Sequence, residues 1–300
     1  MSRPRDFLGP YRLVRLIRAG HTTQVWEAAK TDDTTRYVLK VLNQDRRKDR
    51  VEIASMKNEF EVGKGLKHPN LIKIYEYNIE GEVPYLVMEH FEHPNLKLWL
   101  RGGPQTIAHL GLKIIDQGAE ALYYLHTEGW IHRDVKPDNF LLSDEGMVKL
   151  IDFAISQKKK SGLAALFGGM GGNKTQGTRS YMSPEQIRNH NLDERADIYS
   201  YGCVLFELLT GKAPFTGSNA DELLNKHLTA AIPSVQVFND NVTPEFSNLL
   251  RKMMSKKKEE RPPSMWEFLK AFRNMRVFKV VPKPPEGKTV LKEDKRKGFI

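Results

Sequence analysis

The stretch from His132 to Asp152 constrains this chain more than any other part of the sequence. It begins with HRDVKPDN at residues 132–139, where a carboxylate, an ammonium and an amide lie within six residues. Residues 147–151 then alternate like a short strand, which ends at Asp152. A solvated polar turn is the simple alternative, but it gives no reason for these groups to precede a strand that ends in Asp-Phe.

Four side chains in this stretch suit phosphoryl chemistry. Asp134 can accept a proton from an attacking hydroxyl, and Lys136 can neutralise charge on a transferring phosphoryl group. The amide oxygen of Asn139 and the carboxylate of Asp152 are hard oxygen ligands of the kind that Mg²⁺ takes. The residues themselves therefore indicate a site that handles phosphate and a metal ion.

The same stretch resembles the catalytic loop of eukaryotic-type serine/threonine protein kinases, and the DFA triplet that starts at Asp152 resembles their metal-binding triplet. The resemblance covers about residues 11–274 and looks closest to bacterial members. It implies an α+β, bilobal protein kinase fold, with a small strand-rich N-lobe that carries one main helix and a larger helical C-lobe. The implied ranges are an N-terminal extension at 1–10, the N-lobe at 11–91, the C-lobe at 92–277 and a basic Pro/Lys-rich tail at 278–300.

The first ninety residues carry the nucleotide half of the resemblance. Strand patterns are predicted at 11–17, 24–29, 37–42, 71–77 and 85–89. The loop at 18–23 takes the place of the family's G-x-G-x-x-G loop, but only Gly20 remains, because Arg18 and Thr23 replace the outer glycines. Close approach of backbone to phosphate favours glycine, so we expect this loop to be stiffer or more distant.

Lys40 is implied to hold the α- and β-phosphates of the nucleotide, although a lysine at a strand end can also snorkel to solvent. Its partner should be a glutamate on the helix predicted over 51–66. Glu59 is the preferred partner, with Glu52 and Glu61 as the alternatives. Met88 would lie behind the adenine, and residues 89–91 would form the hinge. The implied nucleotide-binding residues are Ile17, Gly20, Val25, Val38, Lys40, Met88, Glu89, Phe91 and Leu141.

Four structural features are expected in the predicted C-lobe. By resemblance, Asp197 should anchor the catalytic loop, and Glu185 should form a buried ion pair with Arg261, whereas a surface pair there would contribute little. Apolar residues at helical spacing over 107–125 predict a core helix. Ser183, followed by Pro-Glu-Gln, is typical of a helix start with a serine cap.

The segment between Asp152 and Ser183 resembles the activation segment, and its composition predicts a mobile loop. Thr175 is the first choice for a regulatory phosphate, with Ser161 and Ser180 behind it. Arg133 is implied to pair with that phosphate. Thr178 is implied to face the catalytic Asp134 and Lys136.

The net charge is +10, from 47 basic and 37 acidic residues. The basic residues are mostly scattered, so we expect a solvated basic surface rather than specific nucleic-acid binding. The single cysteine, Cys203, excludes an internal disulfide and is expected to be buried. No apolar run approaches the ~20 residues that cross a bilayer. The first residues lack an apolar signal core, so we expect a cytoplasmic protein.

We therefore expect a serine/threonine protein kinase that uses ATP and Mg²⁺ to phosphorylate protein hydroxyls. The alternative is a pseudokinase, a nucleotide-binding or scaffolding module on the same fold. The degenerate glycine loop supports it, as does Ala154 in place of the triplet glycine. Catalysis is favoured because all six chemical residues are present, namely Lys40, Glu59, Asp134, Lys136, Asn139 and Asp152.

Overall fold

The computed structural model describes residues 7–31, 34–159 and 179–285. These residues divide into two units, the first ending at Glu92 and the second beginning at His93. The predicted regulatory residues Ser161, Thr175 and Thr178 lie outside the described residues, as does the tail beyond residue 285.

The described strands of the first unit form one antiparallel sheet. In chain order they are β1 (Phe7–Leu8), β2 (Tyr11–Ala19), β3 (Thr23–Lys30), β4 (Arg36–Leu42), β5 (Ile74–Glu80) and β6 (Val83–Glu89), arranged β1-β2-β3-β4-β6-β5. The strands β2 and β3 extend further toward each other than predicted, because Arg18 pairs with Val25 across the ladder. Arg18 and Thr23 are therefore strand residues, and the turn between the strands is only residues 20–22.

Helix α1 (Arg50–Gly63) completes the first unit. It begins at its capping residue Asp49, whose carboxylate accepts hydrogen bonds from the backbone N–H groups of Val51 and Glu52. It ends three residues before the predicted end, at Gly63, where Ile74 of β5 packs so closely that a Cβ would collide with it. The sheet buries a cluster of apolar side chains that contains Tyr11, Ala28, Leu39, Tyr85 and Val87.

The second unit is mainly helical, which confirms the predicted α+β class. Its helices are α2 (Leu96–Arg101), α3 (Gly111–Thr127), α4 (Pro184–Ile187), α5 (Arg195–Thr210), α6 (Ala220–Thr229), α7 (Pro244–Met253) and α8 (Met265–Arg273). Two short antiparallel pairs accompany them, β7 (Trp130–Ile131) with β10 (Gln157–Lys158), and β8 (Phe140–Leu142) with β9 (Val148–Leu150). No helix among the described residues is both long and apolar enough to cross a membrane.

Helices α3 and α5 form the core that supports the catalytic stretch. The hydroxyl of Tyr201 on α5 donates to the carbonyls of Ile114 and Ile115 on α3, at 3.2 and 2.9 Å. Cys203 on α5 is fully buried, as predicted. Helix α5 ends at Thr210 and is followed by its capping residue Gly211, which adopts the left-handed conformation with φ 72°. Because α3 leads directly into residues 130–139, this core fixes the start of the catalytic loop.

Packing of the second unit continues to Phe278, the residue at which the sequence predicts the start of an extended arm. Phe278 is buried and pairs with Val242. The next residue, Lys279, donates its backbone N–H to the carbonyl of Asn241 at 2.8 Å. Residues 278–279 are therefore fastened to the helical unit.

Candidate functional site

Lys40 on β4 and Glu59 on α1 form an ion pair in the first unit. The distance between Lys40 Nζ and Glu59 Oε2 is 2.7 Å, and the Glu59 side chain is only 2% exposed. A buried carboxylate needs such a partner, since its desolvation is otherwise costly. Glu61 instead pairs with Lys64 on the surface. Glu59, rather than the alternative glutamates, is the partner of Lys40, and the snorkelling alternative is wrong.

Four of the predicted nucleotide-binding side chains share one face of the sheet. Val25 pairs with Lys40, and Val38 pairs with Met88. Paired residues of antiparallel strands point to the same side, and Val38 and Lys40 are two residues apart on one strand. Ile17 lies at the bulge opposite Val25. Lys40 therefore lies on the same face of the sheet as the apolar side chains of Val25, Val38 and Met88.

Asn43, the residue after β4, holds the turn that contains Gly20. Its side-chain Nδ2 donates to the carbonyls of Gly20 and His21, both at 3.0 Å. Its backbone N–H donates to the carbonyl of Thr22 at 2.9 Å, and the N–H of Gly20 donates to the Thr23 carbonyl at 2.8 Å. Each residue of the turn takes part in one of these bonds. This agrees with the stiff loop expected from the loss of the outer glycines. No local pattern of residues indicates the contact from Asn43.

The predicted hinge begins where β6 ends. Glu89 exchanges two bonds with Lys73: its backbone N–H donates to the Lys73 carbonyl at 2.9 Å, and its carboxylate accepts the Lys73 N–H at 3.2 Å. Phe91 follows in irregular chain. Glu92 then accepts a bond from Arg15 of β2 at 3.2 Å. The hinge residues of the first unit are thus fixed at both ends.

The second unit brings Asp134, Lys136 and Asn139 into contact. Lys136 Nζ lies 2.6 Å from Asp134 Oδ2, and both side chains keep partial exposure, 19% and 11%. Asn139 Nδ2 donates to the backbone carbonyl of Asp134 at 2.8 Å. The N–H of Ile151 donates to the Asn139 carbonyl at 2.9 Å, so Asp152 follows directly after a residue bonded to Asn139. Leu141 lies beside them in β8, paired with Lys149 of β9.

Asp197, at the start of α5, anchors the catalytic loop as predicted. Its carboxylate accepts the backbone N–H groups of His132 and Arg133, at 2.8 and 2.9 Å, and it lies 2.8 Å from the Nε2 of His126. Burial raises the pKa of Asp197. The bonds and charges of His126, His132 and Arg133 lower it by more, so the pKa lies below its usual value. The anchor is therefore a buried carboxylate that stays ionised.

Two residues of this site have left-handed backbone. Arg133 has φ 70° and Asp152 has φ 69°. Such conformations cost non-glycine residues about 1–3 kcal/mol and persist only where the surroundings impose them. At Arg133 the N–H is bound by Asp197, and the carbonyl accepts a bond from Gln186 Nε2 at 2.8 Å. The contact from Gln186 has no counterpart in the sequence-based predictions.

The helix start at Ser183 is confirmed, and so is the buried ion pair after it. Ser183 and Gln186 form a reciprocal capping box at the beginning of α4. Arg261 donates Nη1 and Nη2 to the two carboxylate oxygens of Glu185, at 2.6 and 2.9 Å. The Arg261 side chain is 0% exposed. A bidentate pair of this kind fixes geometry as well as charge.

The Arg133 guanidinium is mostly enclosed by the second unit. Its Nη1 donates to the Ile155 carbonyl at 3.2 Å. Its Nε is buried and finds no acceptor among the described residues. Burial lowers the pKa of Arg133, while the charge of Asp197 opposes that effect. The Nε–H of Arg133 is thus left without an acceptor among the described residues.

Comparison with known proteins agrees with this geometry. A family model described as "Protein kinase domain" matches residues 11–271. The chain is 32% identical to the serine/threonine-protein kinase PrkC of Bacillus subtilis over 248 residues, which are 83% of this chain and 38% of PrkC. It is 33% identical to the serine/threonine-protein kinase PknH of Mycobacterium tuberculosis over 262 residues, 87% of this chain and 41% of PknH. The chain therefore spans about two fifths of the length of these relatives.

Proposed function

The chain belongs to the protein kinase family, and from that premise we propose that it is a serine/threonine protein kinase. It would transfer the γ-phosphoryl group of ATP to a serine or threonine hydroxyl of a protein. The observation that carries the proposal is the contact between Asp134 and Lys136, at 2.6 Å. This contact places a proton acceptor next to a cation. The proposed oxygen ligands of the metal ion, Asn139 and Asp152, are close to them in the chain.

In this proposal Asp134 acts as the catalytic base. Its carboxylate orients the substrate hydroxyl and accepts the proton, while the hydroxyl oxygen bonds to the γ-phosphorus. The bond from that phosphorus to the bridging oxygen of ADP breaks in the same displacement. Lys136 offsets the negative charge on the phosphoryl oxygens while the phosphoryl group is transferred. The partial exposure of both side chains supports these roles, because a substrate has to reach them.

ATP is proposed to contact the residues that the sequence singled out. Lys40, held by Glu59, takes the α- and β-phosphates. Gly20 covers the phosphates, and the backbone of Glu89 and Phe91 meets the adenine edge. The apolar contacts come from Ile17, Val25, Val38, Met88 and Leu141. The shared sheet face of Val25, Val38, Lys40 and Met88 supports this assignment.

Asn139 and Asp152 are proposed to hold the divalent cation, and Mg²⁺ is the ion that we propose. An amide oxygen and a carboxylate form an all-oxygen donor set, which fits a hard cation. The bound ion would neutralise phosphate charge. Asn139 is kept in place by the bond from its Nδ2 to Asp134. Calorimetry should show that ATP binds more weakly without Mg²⁺, and tight binding indifferent to the metal would refute these ligands.

Phosphorylation of Thr175 is the proposed regulatory event. A phosphothreonine adds about −1.5 to −2 charges, which a nearby arginine can bind. The buried Nε of Arg133, with no acceptor among the described residues, supports Arg133 as that partner. Thr178 is proposed to face Asp134 and Lys136. Mass spectrometry after incubation with ATP tests the site: an active enzyme without phosphate between residues 156 and 182 would contradict it.

The predicted ranges are retained as proposals, with lobes at 11–91 and 92–277 and a tail at 278–300. We also propose a cytoplasmic location. The scattered basic residues support protein rather than nucleic-acid substrates. The pseudokinase alternative is not favoured, since the six chemical residues are present and four of them form the contacts Lys40–Glu59 and Asp134–Lys136.

The central experiment is transfer from labelled ATP in the presence of Mg²⁺ to a test protein rich in serine and threonine. Wild type should label the protein, and Asp134→Asn should not. Asp240→Asn is the matched control, because Asp240 is exposed and lies outside the proposed site. The proposed function would be overturned if the wild-type enzyme transferred no more label to the test protein than the Asp134→Asn variant does.

A further inference from the structure

We propose that Gln186 is a positioning residue for the catalytic base. Its side-chain amide holds the peptide unit between Arg133 and Asp134, and through that unit it fixes where the Asp134 carboxylate lies. The inference rests on the proposed function, because it gives Gln186 a part in the same phosphoryl transfer. It links the α4 segment to the catalytic loop, 53 residues earlier in the chain.

The peptide unit between Arg133 and Asp134 is held at both ends. Its carbonyl accepts a bond from Gln186 Nε2 at 2.8 Å, and its N–H donates to His132 Nδ1 at 3.2 Å. The residue before it, Arg133, has the left-handed φ of 70°. A strained residue next to a peptide unit allows that unit to rotate when its bonds are lost. Rotation would change the φ of Asp134 and so displace its carboxylate.

The orientation of the Gln186 amide is itself fixed. Its Oε1 accepts bonds from the backbone N–H and the hydroxyl of Ser183, both at 3.1 Å. A backbone N–H can only donate, so the amide oxygen has to face Ser183. The Nε2 must then face Arg133, whose carbonyl can only accept. Gln186 is also 6% exposed, so water does not replace these bonds easily.

Capping alone does not account for this glutamine. A capping box accepts glutamate as well as glutamine, because only the side-chain oxygen takes part. The nitrogen is needed for one contact only, the bond to the Arg133 carbonyl. The substitution Gln186→Glu therefore separates the two roles. It keeps the oxygen that faces Ser183 and sets a second oxygen against the carbonyl.

Gln186→Glu should reduce kcat by on the order of 10- to 100-fold, because a small misplacement of a catalytic group has effects of that size. The KM for ATP should stay within about twofold, since Gln186 has no proposed contact with the nucleotide. A buried carboxyl group that faces a carbonyl has a raised pKa, and its protonated form can donate to that carbonyl. The ratio of variant to wild-type kcat should therefore rise as the pH falls.

The test measures kcat and KM for wild type and Gln186→Glu between about pH 5.5 and 8.5, the range in which such a carboxyl titrates. Ser264→Ala is the matched control. Ser264 caps the remote helix α8 through a bond from Glu267, so its loss lowers stability without touching the loop. Its kcat should equal that of wild type. A Gln186→Glu enzyme with wild-type kcat at pH 8, or with a ratio that does not change with pH, would overturn the proposal.

A second measurement does not depend on activity. The ¹³C resonance of the Arg133 carbonyl reports its hydrogen bond, so it should shift in Gln186→Glu at pH 8 and return toward the wild-type position on acidification. If wild type transfers no phosphate, the proposed function fails, yet this signal still decides whether Gln186 holds the peptide unit. A shift that is reversed by acid supports the inference, and an unchanged resonance overturns it.

Discussion

The turn at residues 20–22 and the catalytic loop at residues 132–139 are both held by a side-chain amide that donates to backbone carbonyls. Asn43 does so in the first unit and Gln186 in the second. The Asn43 side chain is only partly buried and its bond to His21 is exposed, whereas Gln186 and Asp197 are both buried. A hydrogen bond whose groups can bond to water instead contributes about 0.5–1.5 kcal/mol to stability. A buried polar group left without a partner costs about 1–3 kcal/mol. The same amide chemistry therefore has larger consequences in the second unit.

The comparison also explains why the first unit tolerates its unusual glycine loop. The two departures, Arg18 and Thr23, are strand residues, and Arg18 pairs with Val25 across the sheet. The turn itself keeps Gly20 and is tied by Asn43. Function in the first unit should then depend less on the turn than on the buried pair of Lys40 and Glu59.

The largest expected effect tests that buried pair. Lys40→Met should lower phosphoryl transfer by ~10²–10³, the cost of losing one preorganised charge. It should also destabilise the protein by about 3 kcal/mol, since Glu59 loses its cation. The control is Lys64→Met, which breaks an exposed pair with Glu61 and should change neither property measurably. Kinetics and urea unfolding provide both readouts. A fully active Lys40→Met enzyme would contradict the role of Lys40.

The next effect is a pH dependence at the anchor of the catalytic loop. The pKa of Asp197 is lowered on folding, so its contribution to stability is complete above the unfolded pKa of about 3.9. That contribution should disappear as the pH falls through the lower, folded value. At pH 6, Asp197→Asn should therefore be less stable than wild type by about 1.5–3 kcal/mol. In urea titrations, the difference in unfolding free energy should narrow as the pH is lowered below about 3.9. A difference that stays constant with pH would contradict the ionised anchor.

A smaller effect is expected from Asn43→Asp, which repeats in the first unit the chemical change made by Gln186→Glu. Asn43 is only partly exposed, and its Oδ1 is already buried without a partner among the described residues, so the change mainly removes the bonds to Gly20 and His21. The lost hydrogen bonds contribute about 1 kcal/mol, so the KM for ATP should rise roughly fivefold, with kcat nearly unchanged. If Asn43→Asp lowered kcat as much as Gln186→Glu, the proposed difference between the two loops would be wrong.

The smallest effect should come from Arg18→Gly, which restores a family glycine. Because position 18 is in β2, glycine there should cost about 0.5–1 kcal/mol of stability. The KM for ATP should change by no more than about twofold, the size of a few tenths of a kcal/mol. Steady-state kinetics and thermal unfolding measure the two. A tenfold fall in KM would instead show that the arginine holds the backbone away from the phosphates.

Local sequence patterns and the family resemblance together predicted several parts of the site. Glu59 was preferred over Glu52 and Glu61 because it lies ten residues before Pro69, where the family places its pairing glutamate, and the observed pair agrees. The cap at Ser183 was predictable because capping depends on four consecutive residues. The burial of Arg261 followed from the family resemblance rather than from a pattern in the residues.

The contacts that hold the two loops were not predictable in this way. Gln186 and Arg133 are 53 residues apart, and Asn43 and Gly20 are 23 apart. A single amide that bonds to a distant carbonyl leaves no periodicity and no local motif. The limits of β2 and β3 were also missed, because pairing across the sheet overrides the turn tendency of residues near Gly20.

The peptide unit between Arg133 and Asp134 is hydrogen-bonded at both ends. These shared bonds couple the effects of substitutions at the residues that form them. His132, Gln186 and Asp197 all act on the same few backbone atoms. Substitutions that share a target are not expected to be additive. The effect of exchanging one of these three residues should therefore depend on which residues occupy the other two positions.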